Sequence, residues 1–507
     1  MASVSSARGA SRRRKPRRWP RRWAARWWAA LAAVAVLVAA GCGSGPVSGR
    51  SPSHRALFPA AWRGCTPSGH LGKCRTVWVP EDWAHPHGPQ IPLLVAVLPA
   101  TAATHPAAPL FALAGWGGSA ISSGLVDYAV QSFGQLNESM DLVFVVQRGT
   151  TYSWPQACPG LDTTGPGLPA AVRHCLATAS RSPRHDTTAA AARDLEQVRK
   201  ALGYNKINLF GASYGVSMGL AYLQRYGAHV RSAVFYSGSL LNVPLWQETP
   251  VHTQQAFDQL ARRCAATPAC NRSYHPAADL ARVVNRLRAH PARLTITGPN
   301  GRPEKVTLTL VAFLNAVIDD YLSSPDTAVL LPEDLRAFAR GQWAKVINER
   351  GLASSASAGP TQLQEITIRC GDAWAAMNPA KVAQQARLSL FTPQMAATAA
   401  WQRQLCAIWP HDPGVSGVVR SHVPVVFVNG TADPVDPPAN VAAAARTMPS
   451  ALLVTVPGGS HDVAAGGCLS AQATAFILAG KPNPAAWAAC ARRLGREYPA
   501  FPRALGP

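Results

Sequence analysis

The sequence has little charge and few acidic residues. Only 15% of its 507 residues are charged, and 26 acidic side chains stand against 49 basic ones, which leaves a net formal charge of +23. Hydrophobic residues make up 48% of the chain. This composition excludes an intrinsically disordered chain, because sparse charge and abundant apolar side chains are typical of globular proteins.

Compact motifs for metal or nucleic acid are also missing. The sequence contains no Cys-x-x-Cys pair, no Cys/His cluster and no zinc-finger spacing. These absences argue against a metal site and against nucleic-acid binding, in spite of the basic excess. We therefore expect no metal, no cofactor and no nucleic-acid partner.

The basic excess is concentrated at the N-terminus. Residues 1–26 carry ten basic side chains and no acid, and an unbroken apolar run of 14 residues follows at 27–40. Such a run is shorter than the roughly 20 residues that span a bilayer. Residues 1–41 are therefore predicted to be a signal peptide, whose removal would discard nearly half of the excess charge.

The end of the apolar run predicts a lipid anchor. Val38-Ala39-Ala40-Gly41-Cys42 resembles a bacterial lipobox, in which cleavage precedes a cysteine that receives diacylglycerol, although Ala39 stands where the motif prefers Leu. An uncleaved signal anchor or ordinary secretion are the alternatives, and Ser11-Arg12-Arg13 leaves a twin-arginine route open. We expect residues 42–60 to be a flexible linker and the protein to be lipid-anchored at the extracellular face of the cell membrane, or secreted.

Cysteine is plentiful for a protein of a reducing compartment. If Cys42 is lipidated, ten cysteines remain, an even number that fits an exported protein. They fall into near neighbours in sequence, and five local disulfides are the natural proposal, although spacing alone does not prove the pairing: Cys65–Cys74, Cys158–Cys175, Cys264–Cys270, Cys370–Cys406 and Cys468–Cys490.

Short apolar runs alternate with helical segments in most of the mature chain, which predicts an α/β fold with a mostly parallel sheet. Between residues 241 and 420 this alternation gives way to mostly helical patterns, so that a helical cap is predicted as an insertion between two parts of the core, 61–240 and 421–507. The predicted strands are Thr76–Val79, Leu93–Leu98, Leu110–Leu113, Leu142–Val146, Ile207–Phe210, Ser232–Tyr236, Val423–Val428 and Leu452–Val456.

The motif Gly211-Ala212-Ser213-Tyr214-Gly215 lies between a predicted strand and a predicted helix. This is Gly-x-Ser-x-Gly in the context of a nucleophile elbow, a sharp turn that presents the serine hydroxyl above the sheet. A serine hydroxyl is a poor nucleophile at neutral pH, so it needs a base and an acid that orients the base. Ser213 is therefore predicted to be the nucleophile of a hydrolase.

The acid and the base are expected in this order along the chain after the serine. Asp433 follows the strand 423–428 and His461 follows the last strand, so both are predicted to lie at the carboxyl edge of the sheet. Asp436 competes with Asp433 for the role of acid. Asp462, next to the histidine, is expected to serve as a local cap.

An acyl-transfer site also needs two backbone donors for the oxyanion. The N–H of Tyr214, directly after the nucleophile, is predicted to be the first. The glycine-rich loop 114–119 follows an earlier strand, and either Gly115 or Trp116 is expected to supply the second N–H.

These residues resemble the secreted tripeptidyl aminopeptidase and proline iminopeptidase branch of the α/β-hydrolases, over roughly residues 62–490. The matching segments include Gln147-Arg148-Gly149-Thr150, Ala192-Arg193-Asp194-Leu195-Glu196, the elbow with the strand before it, Ile368-Arg369-Cys370-Gly371-Asp372, Cys406-Ala407-Ile408-Trp409-Pro410, Asn429-Gly430-Thr431-Ala432-Asp433-Pro434 and Gly459-Ser460-His461. The resemblance implies an α/β-hydrolase fold with a helical cap and a triad of Ser213, Asp433 and His461. It also supports the five cysteine pairs.

The resemblance implies a serine peptidase that releases short peptides from free N-termini. Recognition of an α-ammonium favours a cap carboxylate, with Asp372 in the best motif context, and Arg148 is a second expected substrate contact. The cap carboxylates considered are Asp319, Asp320, Glu333, Asp334, Glu365 and Asp372. Ester hydrolysis by the same triad is the alternative, and a surface lipoprotein that binds peptides without turnover is a third hypothesis.

Overall fold

The structure is a computed structural model. It describes residues 61–502, except 103–106, 116–119, 122–123, 151, 154–156, 159–167, 245–246, 299, 352–360, 374–376, 386 and 464–466. The described residues belong to one compact unit. The predicted signal peptide, the lipid-anchor site Cys42 and the linker lie outside the described residues.

The centre of the molecule is a nine-stranded sheet with the order β1-β2-β3-β5-β4-β7-β8-β12-β13. The first four strands in this order pair antiparallel, and every pair from β5 onward is parallel, so the predicted sheet is confirmed. Its strands are β1 Arg63–Cys65, β2 Gly72–Pro80, β3 Gln90–Leu98, β4 Ala107–Leu113, β5 Met140–Val145, β7 Ile207–Ala212, β8 Val230–Tyr236, β12 Val425–Gly430 and β13 Ala451–Val456.

The sequence explains why this sheet is buried on both faces. Adjacent residues of one strand point to opposite sides. Leu209 therefore packs into the apolar cluster on one face and Phe210 into the cluster on the other, and both side chains are at most 1% exposed. The strand β12 is buried at all six positions. Continuous apolar runs of this kind are typical of parallel strands that helices cover on both faces.

Most helices of the part before the cap and of the C-terminal part flank the sheet, whereas the helix Leu168–Thr178 packs against helices of the cap. Those before the cap are α1 Leu125–Phe133, α2 Leu168–Thr178, α3 Thr188–Ala201 and α4 Tyr214–Tyr226. The C-terminal part contains the short helix Ala444–Thr447 and the helices Cys468–Ala479 and Pro484–Arg496. None of the helices among the described residues is long and apolar enough to cross a membrane.

Between β8 and β12 the chain is mostly helical, as expected for an inserted cap. Its helices are α5 Thr249–Ala266, α6 Pro268–Ser273, α7 Pro276–Ala289, α8 Leu310–Ala316, α9 Pro325–Ala328, α10 Leu331–Ala339, α11 Trp343–Arg350, α12 Leu363–Ile368, α13 Pro379–Gln385 and α14 Thr392–Cys406. Two π-helical segments, Val317–Leu322 and Arg369–Ala373, continue α8 and α12. The apolar cluster of these helices includes Ala432, next to the predicted acid, so the cap packs against the acid loop.

Two further pairs of strands, one of them within the cap, were not predicted from the sequence. β9 (Ala292–Thr297) and β10 (Pro303–Leu308) form an antiparallel hairpin, and the two-residue strands β6 (Ala157–Cys158) and β11 (Thr361–Gln362) pair with each other. The hairpin turn uses Gly301 at a φ of 75°, a conformation that glycine adopts without a steric penalty. The strands of the hairpin are mostly exposed or half-exposed. They therefore lack the continuous apolar run by which the core strands were predicted.

Four of the predicted disulfides are present: Cys65–Cys74, Cys264–Cys270, Cys370–Cys406 and Cys468–Cys490. Cys175 is also disulfide-bonded. The side chain of Cys158, its predicted partner, lies outside the described residues. Two of the bonds tie helices of the cap, and Cys468–Cys490 joins the last two helices of the chain.

Candidate active site

The turn between β7 and α4 has the strained geometry of a nucleophile elbow. Ser213 has a φ of 54° and a ψ of −125°, a region that non-glycine residues rarely occupy. A Cβ on Gly211 would lie 2.5 Å from the carbonyl oxygen of Gly215. A Cβ on Gly215 would lie 2.6 Å from the carbonyl oxygen of Leu113. The strand and the helix can approach this closely only because both positions are glycine.

Hydrogen bonds between strand ends bring the loops of the predicted triad to one edge of the sheet. The N–H of Ser213 donates to Tyr236 at the end of β8 (3.0 Å), and the N–H of Ser237 donates to Val428 of β12 (2.9 Å). The N–H of Thr431, just after β12, donates to the carbonyl oxygen at the end of β13 (3.0 Å). The nucleophile, acid and base loops therefore follow neighbouring strands at the carboxyl edge.

The partly buried His461 and the buried Asp433 form a pair at this edge. Nδ1 of His461 lies 3.1 Å from each carboxylate oxygen of Asp433, and Asp433 is 1% exposed. Its Oδ1 also accepts the N–H groups of Val435 (2.9 Å) and Asp436 (2.8 Å). Burial alone would raise the pKa of Asp433, but the charge and hydrogen bond of His461 outweigh it and lower that pKa. Burial alone would lower the pKa of His461, but the charge and hydrogen bond of Asp433 outweigh this effect and raise that pKa.

Asp436, the competing acid, lies slightly farther from the imidazole. Its Oδ2 is 3.9 Å from Nδ1 of His461, beyond hydrogen-bond distance, and its Oδ1 accepts the hydroxyl of Ser239. Burial, together with the charge of Asp433, raises the pKa of Asp436 to about 7. The geometry therefore favours Asp433 as the acid and places a second carboxyl group beside it.

The loops of the acid and the base are packed directly against each other. The N–H of Ala432 donates to the carbonyl oxygen of Gly459 (2.8 Å), and a Cβ on Gly430 would overlap the same atom. The N–H of Asp462 donates to the carbonyl oxygen of Ser323 of the cap (2.8 Å), and the role of its carboxylate as a local cap stays a prediction. The cap therefore contacts the histidine loop as well as the acid loop.

Two of the three predicted oxyanion donors, Tyr214 and Gly115, lie next to the nucleophile. Tyr214 is the first residue of α4, where an N–H has no acceptor within the helix. A Cβ on Gly115 would lie 3.7 Å from the Cβ of Ser213, so the loop after β4 runs beside the elbow. Trp116, the other candidate for the second donor, lies outside the described residues.

The contacts of Arg148 do not fit the expected role in substrate binding. Its guanidinium is fully buried and forms a two-pronged ion pair with Asp194, with both distances 2.7 Å. Its remaining three N–H groups donate to the carbonyl oxygens of Pro80, Glu81 and His185. All five donors are used within the protein, so Arg148 holds the loop after β5 to α3.

Asp372 is also engaged within the protein. Its Oδ2 accepts the hydroxyl of Thr188, and its Oδ1 accepts the N–H of Val415 at 2.8 Å. Burial raises its pKa to about 6. These contacts do not fit the expected contact with a substrate ammonium.

The other cap carboxylates considered from the sequence are mostly paired. Asp334 binds Arg350 and accepts the hydroxyl of Tyr321, and Glu365 pairs with Arg369. Glu333 lies 3.4 Å from the same Arg350. The side chains of Asp319 and Asp320 lie outside the described residues.

Two residues at the start of the cap, Glu248 and His252, were not predicted from the sequence to be part of the site. Nε2 of His252 lies 3.7 Å from a carboxylate oxygen of Glu248. Burial lowers the pKa of His252, and the charges of Glu248 and of Asp433 oppose this effect, so α5 begins within electrostatic reach of the triad acid. No local motif marks either residue, because only the packing of α5 on the acid loop brings them there.

Among the described residues, no group of three or more His, Cys, Asp or Glu side chains could hold a metal ion. The arrangement found instead is a strained serine, a buried carboxylate paired with a partly buried imidazole, and backbone donors at one sheet edge. This set can carry out nucleophilic acyl transfer.

Comparison with known proteins agrees with this geometry. A family model described as alpha/beta hydrolase fold matches residues 147–465, which include Ser213, Asp433 and His461. The chain belongs to the α/β-hydrolase family. The expected fold and the hydrolase class are thereby confirmed, and the protein is a serine hydrolase.

The relatives include both peptidases and an esterase. Tripeptidyl aminopeptidase of Streptomyces lividans is 26% identical over 465 residues, which cover 83% of this chain and 85% of that protein. Carboxylesterase B of Mycobacterium tuberculosis is 28% identical over 495 residues, or 88% of this chain and 93% of the relative. Among solved structures, proline iminopeptidase of Mycobacterium smegmatis has 14% identity and a TM-score of 0.35, and the match covers 83% of this chain and 98% of that one. The resemblance to tripeptidyl aminopeptidases is confirmed.

Proposed function

We propose that this serine hydrolase is an aminopeptidase of the tripeptidyl or prolyl type, which cleaves short peptides from free N-termini. The observation that carries the proposal is the start of α5, where the Glu248 carboxylate lies 3.7 Å from Nε2 of His252. The charge of Asp433 in turn acts on the imidazole of His252, so this pair lies on the side of the cap that faces the triad acid. A carboxylate near the triad can bind the α-ammonium that distinguishes a free N-terminus from a blocked one. The relatives named tripeptidyl aminopeptidase support the same class of substrate.

The proposed reaction proceeds through an acyl-enzyme. Ser213 Oγ attacks the scissile carbonyl carbon while His461 takes its proton, and backbone N–H groups bind the resulting oxyanion. The intermediate collapses, the C–N bond breaks, and His461 gives the proton to the leaving amine. Water then attacks the ester with His461 again acting as base, which releases the peptide acid and restores the Ser213 hydroxyl.

Ester hydrolysis is the alternative, supported by the relative named carboxylesterase B. The acyl-enzyme chemistry does not select the leaving group, so the same triad can serve both reactions. The two differ in whether a free amine is needed. An esterase of this design would be indifferent to a charged substrate terminus.

A substrate panel separates the two functions. Free-amine and N-acetylated tripeptide anilides are compared with short acyl esters, with Ser213→Ala as the blank. We expect the free-amine peptides to be cleaved about 10- to 100-fold faster than the blocked ones, since the loss of a hydrogen bond to a charged group costs about 1.5–3 kcal/mol. Equal cleavage of free and blocked peptides would contradict exopeptidase action.

Two variants test the role of Glu248. Glu248→Gln is expected to raise KM for free-amine peptides and to leave ester hydrolysis unchanged. Glu304→Gln, on the exposed cap strand β10, is the matched control. An unchanged KM in Glu248→Gln would remove this residue from the site and leave the triad assignment intact.

We also propose that the mature protein is anchored through a lipidated Cys42. The lipobox-like sequence supports this, and the four disulfides of the described residues fit an oxidising compartment. Mass spectrometry of the mature N-terminus should show an acylated Cys42, and Cys42→Ser should release the protein from the membrane fraction. A different or unmodified N-terminus would refute the anchor.

A further inference from the structure

A chain of hydrogen bonds connects the elbow to the cap. The side chain of Tyr214, directly after the nucleophile, is 6% exposed, and its hydroxyl lies 2.8 Å from Oγ1 of Thr188 at the start of α3. The fully buried Thr188 hydroxyl in turn donates to Oδ2 of Asp372. Three separate segments of the chain therefore meet beside the predicted oxyanion donor.

The direction of these hydrogen bonds follows from the available protons. A threonine hydroxyl has one proton, and because Thr188 donates it to a carboxylate, its oxygen must accept the proton of Tyr214. Burial, together with the charge of Asp372, raises the pKa of Tyr214, so the phenol stays protonated and remains a donor. The chain of hydrogen bonds thus runs from Tyr214 through Thr188 to Asp372.

The carboxylate at the end of this chain is held firmly by the cap. Its other oxygen accepts the N–H of Val415, and a Cβ on Gly414 would overlap it, so the segment 414–415 packs directly on Asp372. Cys370, two residues earlier, is cross-linked to Cys406. Asp372 is therefore fixed from two directions.

We infer that Asp372 is a positioning residue which, through Thr188, holds the side chain of Tyr214 and thereby aims its backbone N–H at the oxyanion. This inference rests on the acyl-transfer chemistry proposed for Ser213. Oxyanion donors are effective only when their position is fixed before the reaction, and the complete loss of one costs about 10²–10³-fold in rate. A donor that is present but less well aimed should cost less, about 10-fold.

The test removes one hydroxyl at a time. Thr188→Val is expected to lower kcat about 10-fold with KM nearly unchanged, because the oxyanion exists only after substrate has bound. Thr188→Ser keeps the hydroxyl and should restore most of the rate. Tyr214→Phe should match Thr188→Val, and the double variant should be no slower than either, since both changes break the same chain.

The concentration of active sites is measured by labelling with a fluorophosphonate, so that kcat is calculated per active site and misfolded protein is not counted. Thr367→Val is the matched control, because Thr367 is a fully buried cap threonine whose hydroxyl bonds to Trp409 and Pro183. The Thr367→Val variant should be less stable than wild type and should have the same kcat. The same kcat per labelled site in Thr188→Val and wild type would overturn the inference.

The rate of fluorophosphonate labelling gives a second readout that needs no peptide substrate, since the phosphoryl oxygen occupies the oxyanion site. We expect Thr188→Val to be labelled about 10-fold more slowly than wild type. Labelling of Ser213→Ala at the wild-type rate would refute the proposed chemistry itself. Normal Ser213-dependent labelling with no effect of Thr188→Val would refute only the positioning role.

Discussion

The two carboxylate oxygens of Asp433 lie at equal distances, 3.1 Å, from Nδ1 of His461. An acceptor at this nitrogen keeps the proton on Nδ1, so Nε2 is left as the base for the serine hydroxyl. It also stabilises the imidazolium that forms when that proton is taken. The pair therefore fixes the tautomer and the orientation of the imidazole.

The two neighbouring acids are expected to differ in their contribution to catalysis. Asp433→Asn should lower kcat by about 10³–10⁴-fold, because the amide favours the wrong imidazole tautomer. Asp436→Asn should retain activity within about 10-fold of wild type, since its oxygen lies 3.9 Å from the imidazole. Steady-state kinetics per labelled active site measures both, and the reverse order would exchange their roles.

Asp436 should also make stability depend on pH. Its pKa is raised from 3.8 to about 7, so the folded state holds this proton more tightly than the unfolded chain does. That contribution to the free energy of unfolding is complete below about pH 4 and is lost as the pH rises through 7. Urea titrations should show wild type losing stability relative to Asp436→Asn over this range. Parallel stability curves for the two proteins would refute the assignment.

Arg148 should matter for stability and not for substrate affinity. Arg148→Met leaves the buried Asp194 carboxylate without its partner and should cost about 3–5 kcal/mol in the free energy of unfolding. Arg184→Met, which breaks the exposed pair with Asp412, should have a much smaller effect. Urea unfolding checks both. A variant at Arg148 with normal stability and a raised KM would restore the substrate-binding interpretation.

The disulfides should stabilise the cap to different extents. Cys370–Cys406 closes a sequence separation of 36 residues, and Cys264–Cys270 one of 6. Loop-closure entropy predicts contributions of about 4 and about 2 kcal/mol. Unfolding of the two paired Cys→Ser variants measures the difference. Equal losses would show that effects other than loop entropy dominate.

Local patterns predict the core strands and the loops of the triad. The strands 207–210 and 452–456 are short, mostly apolar runs between polar segments. The turns that follow them place Ser213 and His461 at the carboxyl edge of the sheet. Spacing between neighbouring cysteines likewise indicates pairs such as Cys468–Cys490. Each of these features depends on residues that are close in sequence.

The roles of Arg148 and Asp372 could not be read in the same way. Both occur in motifs that indicate importance, but their partners come from distant segments, such as Asp194 for one and Thr188 for the other. The cap hairpin at 292–308 was missed because its exposed strands carry no continuous apolar run. Tertiary packing decides all three features.

The cap is inserted between β8 and β12, so the nucleophile and its base lie on opposite sides of it in the chain. A polypeptide that stops anywhere within the cap contains the elbow but has neither Asp433 nor His461. Partial synthesis, or proteolytic loss of the C-terminal part, would therefore give an inert fragment with an unactivated serine. Hydrolytic activity can appear only after the whole cap has been made and the last two strands have joined the sheet.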